Sequence, residues 1–334
     1  MGHAAVIGGG SWGTALAKVL ADKGELVRLW ARDAAAADTM QRTRENFRYL
    51  PGIQLPATIE VTSDLPRALA GADLVLLAVP SHTLRDVTRD VARHGLPRDA
   101  AIVSATKGIE NETLELMSEV LESELPEDRH SSLAYLSGPS FAKEVALGLP
   151  TAIVIASRSD ALAQQLQRRF SSERLRAYAN EDVVGVEVGG ATKNVIAIAA
   201  GAVDGLGIGY NARAAMITRG LNEIARLAMA KGGSALTLAG LAGIGDLVLT
   251  CTAELSRNRT VGFELGRGRS VEQVLAGMTQ VAEGVRTAKS AYLLGEKLGV
   301  ELPITGEVYR VLYEKKPVGE AVTYLMTRAL VREW

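Results

Sequence analysis

The strongest constraint on this chain lies at its start. Residues 4–13 read AAVIGGGSWG, a short apolar run that passes through glycines into the helix-like stretch SWGTALAKVLADKG. Gly8, Gly10 and Gly13 satisfy G-x-G-x-x-G between a predicted strand and a predicted helix, the setting of a dinucleotide-binding turn. Gly8 allows the tight turn, Gly10 lets the backbone approach a pyrophosphate, and Gly13 lets the helix pack close to the strand. The N–H groups and positive dipole end of that helix then face the phosphates. The competing reading is a glycine-rich turn in an α/β fold that binds no nucleotide.

The rest of the first half keeps this rhythm. Apolar runs at 4–8, 26–31, 58–62, 73–79, 100–106, 132–138 and 151–157 are separated by amphipathic stretches such as ETLELMSEVLESEL. Strand and helix in alternation predict a parallel sheet flanked by helices. About twenty residues beyond the glycines, the second strand ends in LWARD, where the ribose is read. Arg32 precedes Asp33 there. An arginine suits the 2′-phosphate of NADP and a carboxylate suits the ribose of NAD, so Arg32 favours NADP with dual use open. Arg32 as a solvated charge at a strand end is the alternative.

After about residue 180 the alternation stops. Long stretches of helical composition follow, including NARAAMITRGLNEIARLAMAKG, GVRTAKSAYLLGEKLG and GEVYRVLYEKK. GLAGIGDLVLTC (240–251), SRNRT (256–260) and TQVAEGVRT (279–287) are expected to interrupt them. The prediction is a Rossmann-type nucleotide-binding domain over 1–182 and an all-α domain over 183–334.

Composition narrows the function. The 37 basic and 38 acidic residues nearly cancel, which argues against a general nucleic-acid binder. A single cysteine, Cys251, rules out an intrachain disulfide and fits a reducing compartment. His3, His82, His94 and His130 are scattered without metal-ligand spacing, so no metal is expected. No run is expected to be long and apolar enough to span a membrane. The N-terminus does not read as a signal peptide. The expectation is a cytoplasmic protein.

One segment resists a purely structural reading. GGATKNVIAIAAG (189–201) is nearly all small and apolar, yet it carries Lys193 and Asn194. A buried ammonium is costly unless paired or neutralised. Its helical neighbours would be Gly189, Gly190, Ile196 and Ala197, and burial among them disfavours the charged form. The bland reading is a lysine that snorkels to water.

GGGSWGTALA (8–17), ATKGIE (105–110), SGPSFAKEV (137–145), ATKNVIAIAAG (191–201), GIGDLVLTC (243–251) and SRNRTVG (256–262) occur in this order across nearly the whole chain. Together with VAEGV (281–285), they resemble the bacterial NAD(P)-dependent glycerol-3-phosphate dehydrogenases. The resemblance implies the two-domain architecture of the 6-phosphogluconate dehydrogenase-like group. It also implies reversible NAD(P)H-dependent reduction of dihydroxyacetone phosphate to sn-glycerol 3-phosphate for phospholipid synthesis, and a homodimer. By resemblance, Ser11, Trp12, Arg32, Tyr49, Lys107, Ala142, Arg257, Val281 and Glu283 join the glycines around the cofactor. Lys107, Gly138, Ser140, Asp246, Ser256, Arg257 and Asn258 surround the substrate, and Lys193 is the proton acceptor. The family often has threonine where this chain has Ser140, which keeps the hydroxyl.

The chemistry of these residue types agrees. Reducing a ketone requires a held cofactor, a proton for the carbonyl oxygen and a grip on the phosphate. Lys193 and Lys107 are the proton-donor and polarising candidates, because no histidine lies in the motifs. Arg257 has the donor fork that matches phosphate, Asn258 adds an amide, and SRN can open a helix toward the same anion. Each has a plainer alternative: SRNRT a solvated basic turn, Lys107 an exposed loop lysine, and Asp246 or Ser140 a helix cap. Asp246 as partner of a site lysine is the functional reading. Two rival functions are an NADP-linked reductase of another small hydroxy compound and a non-catalytic NAD(P)H sensor.

Overall fold

The computed structural model describes residues 2–278, 282–330 and 332. The chain forms two compact units, residues 1–110 with 115–187 and residues 111–114 with 188–334. The division therefore falls at Glu187, where the sequence expectation had residue 182.

The first unit opens with β1 (His3–Ile7), α1 (Ser11–Asp22), β2 (Val27–Trp30) and α2 (Ala34–Thr43). A small antiparallel hairpin, β3 (Glu45–Asn46) and β4 (Leu50–Gln54), comes next. The alternation resumes with β5 (Ile59–Thr62), α3 (Leu65–Leu69), β6 (Ala72–Leu77), α4 (Leu84–Arg93), β7 (Ala101–Ser104) and α5 (Met117–Glu124). It ends with β8 (Leu133–Ser137), α6 (Ala142–Ala146), β9 (Thr151–Ala156), α7 (Asp160–Phe170) and β10 (Leu175–Asn180). The sheet order is β10-β9-β8-β7-β6-β1-β2-β5. β1 pairs in parallel with β2 on one side and β6 on the other, so the order reverses at its carboxyl end. That is where open α/β sheets bind ligands.

Buried on both faces, β1 and β8 read as continuous apolar runs and were visible in the sequence. The pairing of β8 with β9 is antiparallel, one departure from the parallel pattern expected. β10 is a strand no apolar run marked. In LRAYAN only the alternate residues Leu175 and Ala177 are buried, and Arg176 and Tyr178 face water.

The helix α8 (Val183–Gly205) contains the division between the units. In the second unit it is followed by α9 (Tyr210–Ala230), α10 (Ala235–Leu238), a π-turn (Leu241–Gly245), α11 (Asp246–Thr252) and α12 (Arg257–Gly266). The remaining helices are α13 (Val271–Ala276), α14 (Glu283–Leu298), α15 (Pro303–Tyr313) and α16 (Val318–Thr327). GLAGIGDLVLTC thus does not interrupt the helices, as expected from sequence, but is itself helical. Its π-turn wraps so tightly that a Cβ at Gly243 would strike the backbone of Leu238. At SRNRT the helices are interrupted over residues 253–256, ahead of the motif's own helical part: Ser256 is the N-cap and Arg257 opens α12.

α8 corrects a further expectation. Its 23 residues are long and apolar enough to cross a membrane, but 94% of its most apolar window is buried inside the protein. It is a core helix. Two of its glycines explain how closely it is packed. A Cβ at Gly201 would collide with the Arg259 carbonyl, and one at Gly205 with the Phe263 carbonyl. From the other side, Gly262 and Gly266 of α12 lie equally close to the carbonyls of Ile198 and Ala202. α8 and α12 therefore run parallel and touch backbone to backbone.

Candidate functional site

In the first unit, the glycine loop has the geometry its spacing implied. Gly8 adopts φ +129°, which L side chains rarely take, and a Cβ there would enter the Ala78 carbonyl. A Cβ at Gly13 would overlap the Gly8 carbonyl, so α1 can pack this near the strand only with glycine at that position. Gly10 differs, because a Cβ on it would meet nothing within 4 Å. It caps α1 without any side-chain hydrogen bond, so no side chain of the cap occupies the first N–H groups of Ser11, Trp12 and Gly13. The indole Nε1 of Trp12 is buried and has no hydrogen-bond partner among the described residues. Open space over Gly10, an uncapped helix N-terminus and an orphaned donor fit a pyrophosphate-bearing cofactor.

Asn46 braces this loop, a role that sequence reasoning missed. Its buried side chain donates to the Gly9 carbonyl at 3.0 Å and to Thr14 Oγ1 at 2.9 Å, and accepts from the backbone of Tyr49 at 3.2 Å. Tyr49, in the turn between β3 and β4, is thereby tied to the glycine loop. An asparagine in NFRYL carries no motif, and only the three-dimensional pairing reveals it.

At the end of β2 the two ribose candidates separate. Asp33 is the N-cap of α2, its carboxylate accepting from Ala36 N at 3.0 Å. Arg32 is exposed and has no side-chain partner among the described residues. The carboxylate is engaged by its own helix, and the guanidinium faces solvent.

Lys107, Gly138 and Ser140 come together. The Lys107 ammonium donates to the Gly138 carbonyl at 3.2 Å, and the Ser140 hydroxyl donates to the same oxygen at 2.9 Å. Gly138, at φ +113°, presses against the backbone of Ile153. Lys107 is half-buried just past β7, and Thr106 anchors that turn by donating to the Val79 carbonyl at 2.8 Å. Ser140 does not cap α6, whose N-cap is Phe141 without a side-chain bond. Ala142 is the first residue of that helix.

In the second unit, Lys193 does not snorkel. It is 7% exposed, and its Nζ donates to Asp246 Oδ1 at 2.6 Å and to Thr250 Oγ1 at 2.9 Å. Asp246, 1% exposed, is the first residue of α11, and Thr250 lies one turn further along. Burial alone would disfavour the ammonium, but the adjacent carboxylate compensates it. Thr250 is the third member, and it also donates to the Asp246 backbone carbonyl at 2.6 Å. The sequence flagged the lysine and the aspartate, while a threonine inside LVLTC looked like core. Burial beside this cluster pushes the Cys251 thiol up to about 12, so it remains a neutral packing group.

Around Lys193 the next turn is equally ordered. Asn258 Nδ2 donates to Asn194 Oδ1 at 2.9 Å, and Asn258 Oδ1 accepts from Gly284 N at 3.0 Å. Ser256 caps α12 by accepting from Arg259 N at 3.2 Å. That cap leaves Arg257 exposed and Asn258 buried at the helix start. Glu283 begins α14 beside Gly284, and Val281 lies outside the described residues. The described residues contain no group of three or more His, Cys, Asp or Glu that could hold a metal.

Residues 3–163 match the family described as the NAD-dependent glycerol-3-phosphate dehydrogenase N-terminus, and residues 182–323 match its C-terminus. A glycerol-3-phosphate dehydrogenase (NAD(P)+) from Anaeromyxobacter sp. (strain K) is 55% identical over 98% of each chain. The crystal structure of glycerol-3-phosphate dehydrogenase from Coxiella burnetii superposes with a TM-score of 0.92 at 41% identity, covering 98% of this chain and 99% of that one. A PanE/ApbA family ketopantoate reductase from Ralstonia eutropha, 18% identical with a TM-score of 0.60 over 96% of this chain and all of its own, shares the fold alone.

Proposed function

The chain belongs to the NAD-dependent glycerol-3-phosphate dehydrogenase family, and on that premise we propose that Lys193 gives and takes the proton in its reaction. The reaction is the reversible NAD(P)H-dependent reduction of dihydroxyacetone phosphate to sn-glycerol 3-phosphate, which supplies phospholipid synthesis. One observation carries the proton assignment. Lys193 is held almost out of water with its ammonium aimed at a carboxylate and a hydroxyl, so its position and direction are defined by two hydrogen bonds.

NAD(P)H, when bound, supplies the hydride for the ketone carbon. The residues placed to hold it are Gly8, Gly10 and Gly13 with the first turn of α1, Ser11 and Trp12 on that turn, and Tyr49 tied in through Asn46. Ala142, Val281 and Glu283 belong to the same reading. Arg32 takes the 2′-phosphate of NADP. Lys107, Gly138 and Ser140 present an ammonium and a hydroxyl gathered on one carbonyl, suited to orient a polar substrate. Arg257 and Asn258, with the Ser256-capped start of α12, grip the substrate phosphate, and Arg257 also serves the cofactor side. Lys193 donates to the carbonyl oxygen as the alcohol forms and accepts the proton in reverse. Asp246 stabilises the ammonium, and Thr250 fixes its direction.

The test is NADPH oxidation followed spectrophotometrically with dihydroxyacetone phosphate, in parallel with NADH. Turnover with dihydroxyacetone phosphate but barely with dihydroxyacetone supports the reading; equal turnover of the two ketones refutes the phosphate grip. Placement in the cytoplasm and a homodimer complete the proposal. The lone buried thiol of Cys251 supports the first and the family resemblance the second, with fractionation and sedimentation as the checks.

A further inference from the structure

Asp204 belongs to none of the groups so far discussed. It is the penultimate residue of α8, at the negative end of the helix dipole, where a carboxylate is disfavoured unless cations hold it. Two do. Arg259 Nε and Nη2 both donate to Asp204 Oδ2, at 3.0 and 2.7 Å, and Arg213 Nη1 lies 3.2 Å from each carboxylate oxygen. The Asp204 side chain is only 12% exposed and that of Arg259 18%, so this is not a loose surface pair. Arg259 stands in the first turn of α12, directly after Arg257 and Asn258.

We infer that Asp204 is a positioning residue for the reaction: through Arg259 it holds the first turn of α12 at a fixed offset from Lys193 on α8. The inference rests on the reading of Lys193 and Arg257 given above. Three observations converge on it. The Asn194–Asn258 bond joins the two helices beside Lys193, and the Asp204–Arg259 pair joins them again ten residues along α8. Between these points, backbone contact at Gly201 and Gly262 removes any side-chain cushion that could absorb a shift. The two helices therefore set the distance between the proton-donating group and the phosphate-binding group as one unit. Arg213 extends the same clamp to α9.

Such a device works only on a substrate that engages both ends. Dihydroxyacetone phosphate does, whereas dihydroxyacetone reaches the proton donor and has no phosphate for α12. Asp204→Asn in the full-length enzyme should lower kcat/KM for dihydroxyacetone phosphate about 10–100-fold, the scale on which small misplacements act. It should leave the slow rate with dihydroxyacetone and the KM for NADPH within about twofold, so the advantage conferred by the phosphate shrinks. Arg259→Lys keeps the charge but loses the donor fork, and should lower the same ratio. It serves as the readout if Asp204→Asn does not fold. Equal losses for both ketones, or a changed melting temperature with kinetics intact, would overturn the inference and leave Asp204 a purely structural residue. Lys193→Met and Arg257→Ala, assayed alongside, separate the two failures. If they abolish catalysis and phosphate preference while Asp204→Asn and Arg259→Lys do neither, only the clamp is withdrawn. If they too are without effect, the reading of the site itself has failed.

Discussion

Lys193 and Asp246, 53 residues apart in sequence, face each other at 2.6 Å with side chains 9% and 1% exposed. Removing the amine while keeping the chain length separates catalysis from packing. Lys193→Met is expected to fold, bind NADPH and lose about 10²–10⁴-fold in kcat. A folded variant with near-normal kcat removes Lys193 from the proton step. Asp246→Asn leaves the ammonium buried without its counter-charge, and should lower both kcat and melting temperature.

Arg257 is the exposed cation at the start of α12, next to the buried Asn258. Arg257→Ala should raise KM for dihydroxyacetone phosphate by roughly 10- to 100-fold, the equivalent of about 1.5–3 kcal/mol for a charge-assisted hydrogen bond. Steady-state kinetics at saturating NADPH measure this. Unchanged KM and kcat would place the phosphate elsewhere.

Cofactor choice should rest on Arg32. Arg32→Ala is expected to raise KM for NADPH much more than for NADH, because only the former carries the 2′-phosphate. A proportional rise for both would mean that the arginine serves the adenine or steers charge.

A pH effect on stability follows from Glu187 of α8. Its carboxylate is buried and accepts from Ser118 N at 3.0 Å and from the Ser118 hydroxyl at 2.5 Å. Burial outweighs those bonds and raises its pKa from 4.5 to about 8. Between these values the folded chain retains a proton that the unfolded chain has lost. Stability contributed by this group is therefore full below about pH 4.5, declines as pH rises toward 8, and stays level above that. Glu223 is raised to about 6 by burial and acts in the same direction over a narrower range. Glu187→Gln should flatten part of the fall in melting temperature between pH 4.5 and 8. Parallel curves for the two proteins would show that Glu187 does not titrate in this window.

Much of this was legible before any coordinates, for particular reasons. Gly8 and Gly13 are dictated by backbone collisions, and such positions admit no other residue, so their spacing speaks for itself. The fully buried strands betray themselves as apolar runs. β10 did not, because half of it faces water and its partner is known only from the sheet. Thr250 and Asn46 were missed for a different reason. A hydroxyl or amide gains meaning from what it faces, and Lys193 and Gly9 are far from them in sequence. That Asp33 caps α2 while Arg32 stays exposed was likewise not legible in the dipeptide, because a cap is defined by the helix that follows it. Asp204 carries no motif at all.

α8 has a consequence for how the protein is made. Its cover is synthesised after it: α12 packs on its glycines, and residues of α15 and α16 line an apolar cavity of about 40 Å³ with Ile198 and Val203. Until those later segments leave the ribosome, a stretch with the length and apolarity of a membrane span is covered only in part, by α9 at Ile196 and by Leu238 and Ala242 at Gly189. Chains ending before α12 should therefore be captured by chaperones or aggregate, and correct folding waits on synthesis of about the last quarter of the sequence.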